Sequence, residues 1–227
     1  NAVRASPLYD TALKMYSICA PLVGTEQDVG RMMAFSAGWL ENQSIWLHMS
    51  YKFYLELLRG GLYDEFFAEI KTGLVPFMNA TVYGRAPTEA ASFIVSSAFP
   101  DRRLHGSSYL ARLSGSTAEF LSMWAHMMAG PRPFVVDEQS GKLTLAFAPV
   151  LPGWLFTKDN TVSFTFLGCV QVTYSNPDRV DTWNATPTSI LVTDSRGHSE
   201  KVFSSVLEEP YATKIRDLTV DSIYVQY

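Results

Sequence analysis

Three short stretches carry residue types that could act together chemically. The first is RLSGSTAEFLSMWAHMMAG, Arg112 to Gly130. Its small-residue loop, Ser114-Gly115-Ser116, runs into an apolar helix. The pattern predicts Ser116 as N-cap and Glu119, three residues on, as its capping-box partner. Phe120, Trp124 and Met127–Met128 keep helical spacing, and Gly130 followed by Pro131 and Pro133 predicts the stop. Free N–H groups at such a helix start attract anions. The plain alternative is an ordinary capping box. The second stretch holds Glu41, Asn42 and His48. Read as one helix, it puts Glu41 and Asn42 in the first turn and His48 on the same face two turns on. An acid, an amide and an imidazole on one face suit a sugar or a phosphate. The plain alternative is an acid-rich helix start plus a core histidine. The third is His105-Gly106-Ser107-Ser108 behind Arg102–Arg103, an arginine pair of the kind that holds phosphate, or else solvated loop charge.

The remaining candidates are ordinary. His126 reads as core inside an apolar helix, and His198 as solvated in the turn Ser195-Arg196-Gly197-His198. No metalloprotease, paired-cysteine, phosphate-loop, dinucleotide or nucleophile-elbow motif is present. Glu41, Glu89 and Asp101 offer carboxylates, but nothing in the sequence positions a pair for glycoside hydrolysis. Three N-x-S/T sequons begin at Asn42, Asn79 and Asn184 and matter only in a secreted protein.

The elements that must position these residues follow from periodicity. Residues 1–20 read as a short helix through Leu8, Ala12, Leu13, Met15, Tyr16 and Ile18. Residues 41–59 read as a long helix ended by Gly60–Gly61, and residues 62–74 as a second that forms a helical hairpin with it. Residues 79–112 lack a period and read as a long, packed loop. Beyond Gly130 the pattern switches to alternation. Leu143/Leu145/Phe147, Val162/Phe164/Phe166, Val170/Val172/Tyr174, 189–193 and 220–225 predict an antiparallel β-sandwich, with a break at Gly168. The expected boundary falls near residue 131, giving units 1–130 and 131–227. No repeat and no low-complexity tract appears.

Composition bounds the function. The chain has 227 residues, 47% hydrophobic and 13% aromatic, which supports a large core. With a net charge of −4 and no basic stripe, a nucleic-acid surface is not suggested. Charges interrupt every apolar stretch, so no membrane span is expected. Cys19 and Cys169 read as buried thiols rather than a disulfide. No cleavable leader opens the chain, and a cytoplasmic location is the expectation. The first residue is not Met, which suggests that something precedes it.

The order of these motifs resembles that of glycoside hydrolase family 94, the cellobiose, chitobiose and β-1,2-oligoglucan phosphorylases. The likeness rests on WLENQSIWLH, TVYGR, LARLSGSTAEFLSMWAHMMAG and GKLTLAFAPVLPGWL, all in the family's order across most of residues 30–155. It implies an α+β chain: the last helices of an (α/α)₆ barrel followed by an antiparallel β-sandwich. It implies phosphate binding by His48, Ser114 and Gly115, and substrate contacts from Glu41, Asn42 and Tyr83. The activity implied for the parent enzyme is inverting phosphorolysis of a β-glucan or β-glucoside, with inorganic phosphate as co-substrate and no cofactor or metal. The family's general acid has no matching position here. The chain would therefore depend on an N-terminal half of the barrel and be inactive alone; a homodimer is compatible with it. Ser114 replaces the family's Thr and keeps the hydroxyl for phosphate contact, while Gln43 replaces the usual Gly and Leu40 a frequent basic residue, and these two lean toward the oligoglucan relatives. The alternatives are a carbohydrate-binding or scaffold module without catalysis, and a glycosidase on the same barrel.

Overall fold

The computed structural model describes residues 2–22, 24, 27–78, 92–109 and 114–227, with Gln27, Asp28, Ser114 and Gly115 described by backbone alone. The fold is mixed α and β, with antiparallel pairing in each of its sheets. It divides into two compact units at Met123/Trp124, inside one helix.

The first unit opens with a tight hairpin, β1 (Tyr9–Asp10) against β2 (Met15–Tyr16), not with the helix its apolar spacing predicts. The reason is local. Asp10 Oδ1 accepts from Ala12 N and Leu13 N, both at 3.0 Å, which closes a turn that a helix cannot contain. Lys14 completes it in the left-handed region at φ 56°. A 3₁₀ segment, Gln27–Ala34, is kinked at Gly30.

The long helix predicted over 41–59 is shorter than expected. Residues 39–43 form a turn, Ile45–Trp46 is strand β3, and helix α1 spans Leu47–Arg59. The helical period holds from there: Leu47, Tyr51, Tyr54, Leu55 and Leu58 are buried on one face. Each such Leu contributes about 1.5–3 kcal/mol of burial. Helix α2, Tyr63–Gly73, matches its predicted span within a residue and turns Phe66, Phe67 and Ile70 inward. Gly73 lies against Tyr54, where any Cβ would overlap the Tyr54 ring.

The stretch predicted to be irregular contains two short strands, β4 (Phe93–Ile94) and β5 (Ser108–Tyr109). They complete a three-stranded sheet in the order β3-β4-β5, antiparallel at each step. The outer strands β3 and β5 therefore run parallel to each other. One face of the sheet carries Ile45, Ile94 and Ser108, each at most 1% exposed. The other carries Trp46, Phe93 and Tyr109 in register. Helix α3, Ser114–Ala129, begins two residues before the predicted N-cap. Ser116 is thus a buried residue of its first turn rather than a cap, and the position preceding Ser114 lies outside the described residues. The stop is where glycine predicts it: Gly130 adopts φ +88°, and a Cβ there would crowd Ala148.

The second unit has hairpin β6 (Phe134–Val136)/β7 (Leu143–Leu145) and a five-stranded sheet. The latter is built from β8 (Thr161–Phe166), β9 (Val170–Ser175), β10 (Ser189–Asp194), β11 (Ser199–Val202) and β12 (Val220–Gln226) in the order β11-β10-β12-β9-β8. Alternation in sequence becomes rungs across strands. Phe164, Val172, Ile223 and Val192 form one; Val162, Tyr174, Val225 and Ile190 form the next. Both face Leu145, Phe147 and Leu151, together with Ala212 and Ile215 of α4 (Tyr211–Arg216). The expected all-antiparallel arrangement fails at one place: β12 pairs with β9 in parallel. The β10–β11 hairpin and α4 separate these strands in sequence, and β12 returns to fill the gap between β10 and β9. Period-two patterning is blind to strand direction.

Candidate functional site

The residues of the second stretch are held by a turn, not by a helix. Leu40 and Gln43 both adopt left-handed backbone, at φ 46° and 56°. This is a region glycine enters freely and side chains do not. Gln43 thus stands at a position whose conformation favours glycine. Trp39 and Asn42 bridge each other, with Asn42 N donating to Trp39 O at 3.1 Å. The expected shared helical face of Glu41 and His48 does not form, because residues 41–46 are turn and strand. Glu41 instead pairs with Arg31 from the 3₁₀ segment.

Asn42 is buried, and its Nδ2 donates to Phe35 O at 2.7 Å. That bond fixes which end of the amide is oxygen, since only the NH₂ can donate. Oδ1 has no hydrogen-bond partner among the described residues. His48 is the second residue of α1 and half-buried. Its Nδ1 is likewise buried and without a partner among the described residues. Burial, with the Lys52 charge adding to it, lowers the imidazole pKa below its ordinary value and favours the neutral ring. The first turn of α1 holds no acid, and neither does that of α3. β3 and β5, running parallel, leave their sheet at the same end, and β3 passes directly into α1.

What sequence reasoning missed is the aromatic face beside these groups. Trp39 packs on Phe93 at 5.2 Å, Phe99 at 5.3 Å and Tyr109 at 5.5 Å between ring centres. Trp46 packs on Phe93 at 5.6 Å, and His48 stands edge-on to Trp46 at 5.6 Å. Gly38 lets the chain approach this group, since a Cβ there would overlap the Phe99 backbone. These aromatics are spread over seventy residues of sequence; pairing of two-residue strands brings Trp46, Phe93 and Tyr109 together, and Trp39 and Phe99 join them from turns outside the strands.

The other candidates stand apart. Tyr83 and Glu89 lie outside the described residues, as does Asn79. Arg102 and Arg103 are exposed, and Arg103 is held by Asp101, whose carboxyl it pulls down to about 2. His105 Nε2 lies 2.7 Å from Phe99 O, a loop-closing contact. His126 is only half-buried, while His198 is exposed and pairs with Asp194 at 3.3 Å. Both cysteines are free, as expected, but neither is buried: Cys19 is half-buried and Cys169 exposed. Asn184 is exposed and Asn42 is not. Among the described residues no cluster of His, Cys, Asp and Glu could hold a metal, and no helix is long and apolar enough to cross a membrane.

A cleft of 280 Å³ in the same unit lies elsewhere, lined by Arg4, Tyr16, Phe53, Leu57, Glu65 and Glu69. There the buried Glu69 carboxylate accepts from Tyr16 Oη at 2.8 Å and pairs with Arg4 at 3.5 Å. Burial and the Glu69 hydrogen bond raise the Tyr16 pKa, so the phenol stays protonated. The group is satisfied by its own chain and has the character of a structural tie. In comparison with known proteins, no family model matches the chain and no curated protein matches it.

Proposed function

We propose that the chain is the phosphate-binding portion of an inverting glycoside phosphorylase of the family 94 type, acting on β-glucosidic bonds. The observation that carries the reading is His48: a neutral, half-buried imidazole on the second residue of a helix whose first turn has no acid. A helix start of that kind favours an anion, and a neutral ring can donate to or accept from a phosphate without the cost of a buried charge. The backbone of α3 at Ser114 and Gly115 supplies a second acid-free helix start. On this reading the two hold inorganic phosphate between them, and the helices are the last of an (α/α)₆ barrel.

Phosphate attacks the anomeric carbon from the face opposite the glycosidic bond. The C–O bond breaks, the leaving oxygen takes a proton from a carboxylic acid, and α-glucose 1-phosphate forms. Phosphate is itself the nucleophile, so the base carboxylate of an inverting hydrolase is not required. What these residues contribute is position and charge stabilisation. On this reading the acid comes from a part of the barrel that these residues do not supply, and they are inactive by themselves.

Titrating the chain with inorganic phosphate while following the His48 imidazole signals by NMR tests the cradle: a saturable shift is expected. No shift at His48 sinks it. Robust phosphorolysis of a β-glucoside by the 227 residues alone would sink the claim that the acid lies elsewhere.

A further inference from the structure

The five-stranded sheet of the second unit ends in two different edges. One is β11, whose sequence SEKV puts Glu200 and Lys201 on the rim. Charged side chains are a common guard against pairing with another chain. The other edge is β8, which reads TVSFTF. It has no charge and no proline, and its register with β9 runs without a bulge.

Which groups of β8 point outward follows from the ladder. Asn176 N donates to Asn160 O at 2.9 Å, and bonded pairs alternate along an antiparallel ladder. Val162, Phe164 and Phe166 therefore bond to Tyr174, Val172 and Val170, while Thr161, Ser163 and Thr165 turn their N–H and C=O outward. Thr161 O is taken by Thr157 N at 3.0 Å. Ser163 and Thr165 are exposed, and their outward backbone groups have no partner among the described residues. The next outward position, Leu167, has left the strand at φ 51°. On the solvent face Ser163 Oγ lies 2.8 Å from Thr173 Oγ1. On the core face Val162 and Phe166 flank Phe164 and are only half-buried.

We infer that β8 pairs antiparallel with β8 of a second copy of this chain, about a two-fold axis at Phe164. One register uses every open group. Ser163 faces Thr165 of the second copy and Thr165 faces its Ser163, each pair exchanging both backbone bonds. A slip of two residues either way sends one open residue to Thr161, which is already bonded, or to Leu167, which is not extended. In the same register Phe164 meets Phe164 and Val162 meets Phe166, so the half-buried side chains are covered where the backbone pairs. The run Val-Ser-Phe-Thr-Phe alternates apolar and hydroxyl residues alike in both directions, as a two-fold contact requires. Assembly closes at two copies, because the far edge of each five-stranded sheet is then the charged β11. A contact built on one six-residue strand falls at the weak end of interfaces, so the dimer is reversible. The inference does not rest on the phosphorylase reading.

The test is sedimentation velocity of the chain at rising concentration, where a reversible monomer–dimer equilibrium is expected. Thr165→Pro removes an N–H that no ladder bond uses, so the monomer keeps its fold while the dissociation constant rises by about tenfold or more. Ser163→Lys combined with Thr165→Lys sets like charges opposite each other and weakens the dimer similarly, which covers the case where the proline variant does not fold. Ser199→Lys, on β11, leaves association unchanged. Cysteine pairs read the register, with Cys19 and Cys169 both replaced by serine. Ser163→Cys and Thr165→Cys are expected to cross-link under oxidation when the two variants are mixed, and neither alone. A chain that stays monomeric up to its solubility limit overturns the inference. So does wild-type association in both edge variants, growth beyond the dimer, or cross-linking of either cysteine variant by itself.

Discussion

The five-stranded sheet of the second unit and the three-stranded sheet of the first are built by opposite means. In the second unit, strands of four to seven residues repeat one side-chain period, and each rung adds a buried aliphatic or aromatic residue to the next. Tyr174, buried at the centre, donates its hydroxyl to Met128 O at 2.5 Å, and among the described residues of this unit no buried side-chain polar atom lacks a partner. In the first unit, the three strands are two residues each and owe their position to long loops and a turn of left-handed residues. There Asn42 Oδ1 and His48 Nδ1 stand without partners among the described residues. The short sheet lies near buried polar atoms without a partner among the described residues, and its outer aromatics are only partly buried.

The comparison breaks first at the core of the large sheet. Ile223, 1% exposed at the middle of a four-strand rung, is expected to cost about 3 kcal/mol as Ile223→Ala. Denaturant unfolding followed by far-UV circular dichroism measures it, and a loss below about 1 kcal/mol would mean that the rung is not a cooperative core. In the first unit the equivalent anchor is polar. Tyr16→Phe leaves the buried Glu69 carboxylate with one donor fewer and is expected to cost about 2 kcal/mol by the same measurement.

A smaller effect of opposite sign comes from the turn. Gln43→Gly relieves a left-handed backbone and is expected to add about 0.5–1 kcal/mol of stability. Leu167→Gly, at φ 51° in the β8–β9 turn, is the control from the second unit. Equal gains would show that the site turn holds no more strain than an ordinary hairpin turn.

His48 sharpens the contrast through pH. Its pKa is lowered in the folded chain from the ordinary 6.5, so the unfolded chain binds that proton more readily. The associated stability is full above 6.5 and is lost as pH falls below it. His48→Gln is expected to flatten this part of the stability–pH curve; an unchanged slope would mean that the ring is not desolvated. The smallest effect is at Arg31, 79% exposed, whose pairing with Glu41 is screened by water. Arg31→Ala is expected to change stability by less than about 0.5 kcal/mol in a thermal melt.

Much of the second unit is legible in the chain because its signal is local. Val170, Val172 and Tyr174 alternate, and so do Ile223 and Val225, and burial follows the alternation. The same holds for α1 and α2 once they have started, and for Gly130, whose left-handed backbone ends α3. Residues 1–20 mislead for a physical reason. Leu8, Ala12, Met15 and Tyr16 are spaced for a helix, but the Asp10 carboxylate offers the backbone a competing turn and further bonds to Ser97, eighty-seven residues away. Likewise, the spacing of seven between Glu41 and His48 suggests a shared face only while the residues between them are taken as helical.

By itself the sequence determined which segments bury apolar faces and where several of them stop, because periodicity and glycine act over a few residues. It also held the types from which a site could be made, Asn42 and His48 among them. Tertiary structure alone decided that Trp39, Trp46, Phe93 and Tyr109 would meet on one face, since strands of two residues have no period to read. It alone decided, too, that an amide oxygen beside them would be left without a partner among the described residues. An unmet hydrogen bond is a property of surroundings, and no residue type announces it.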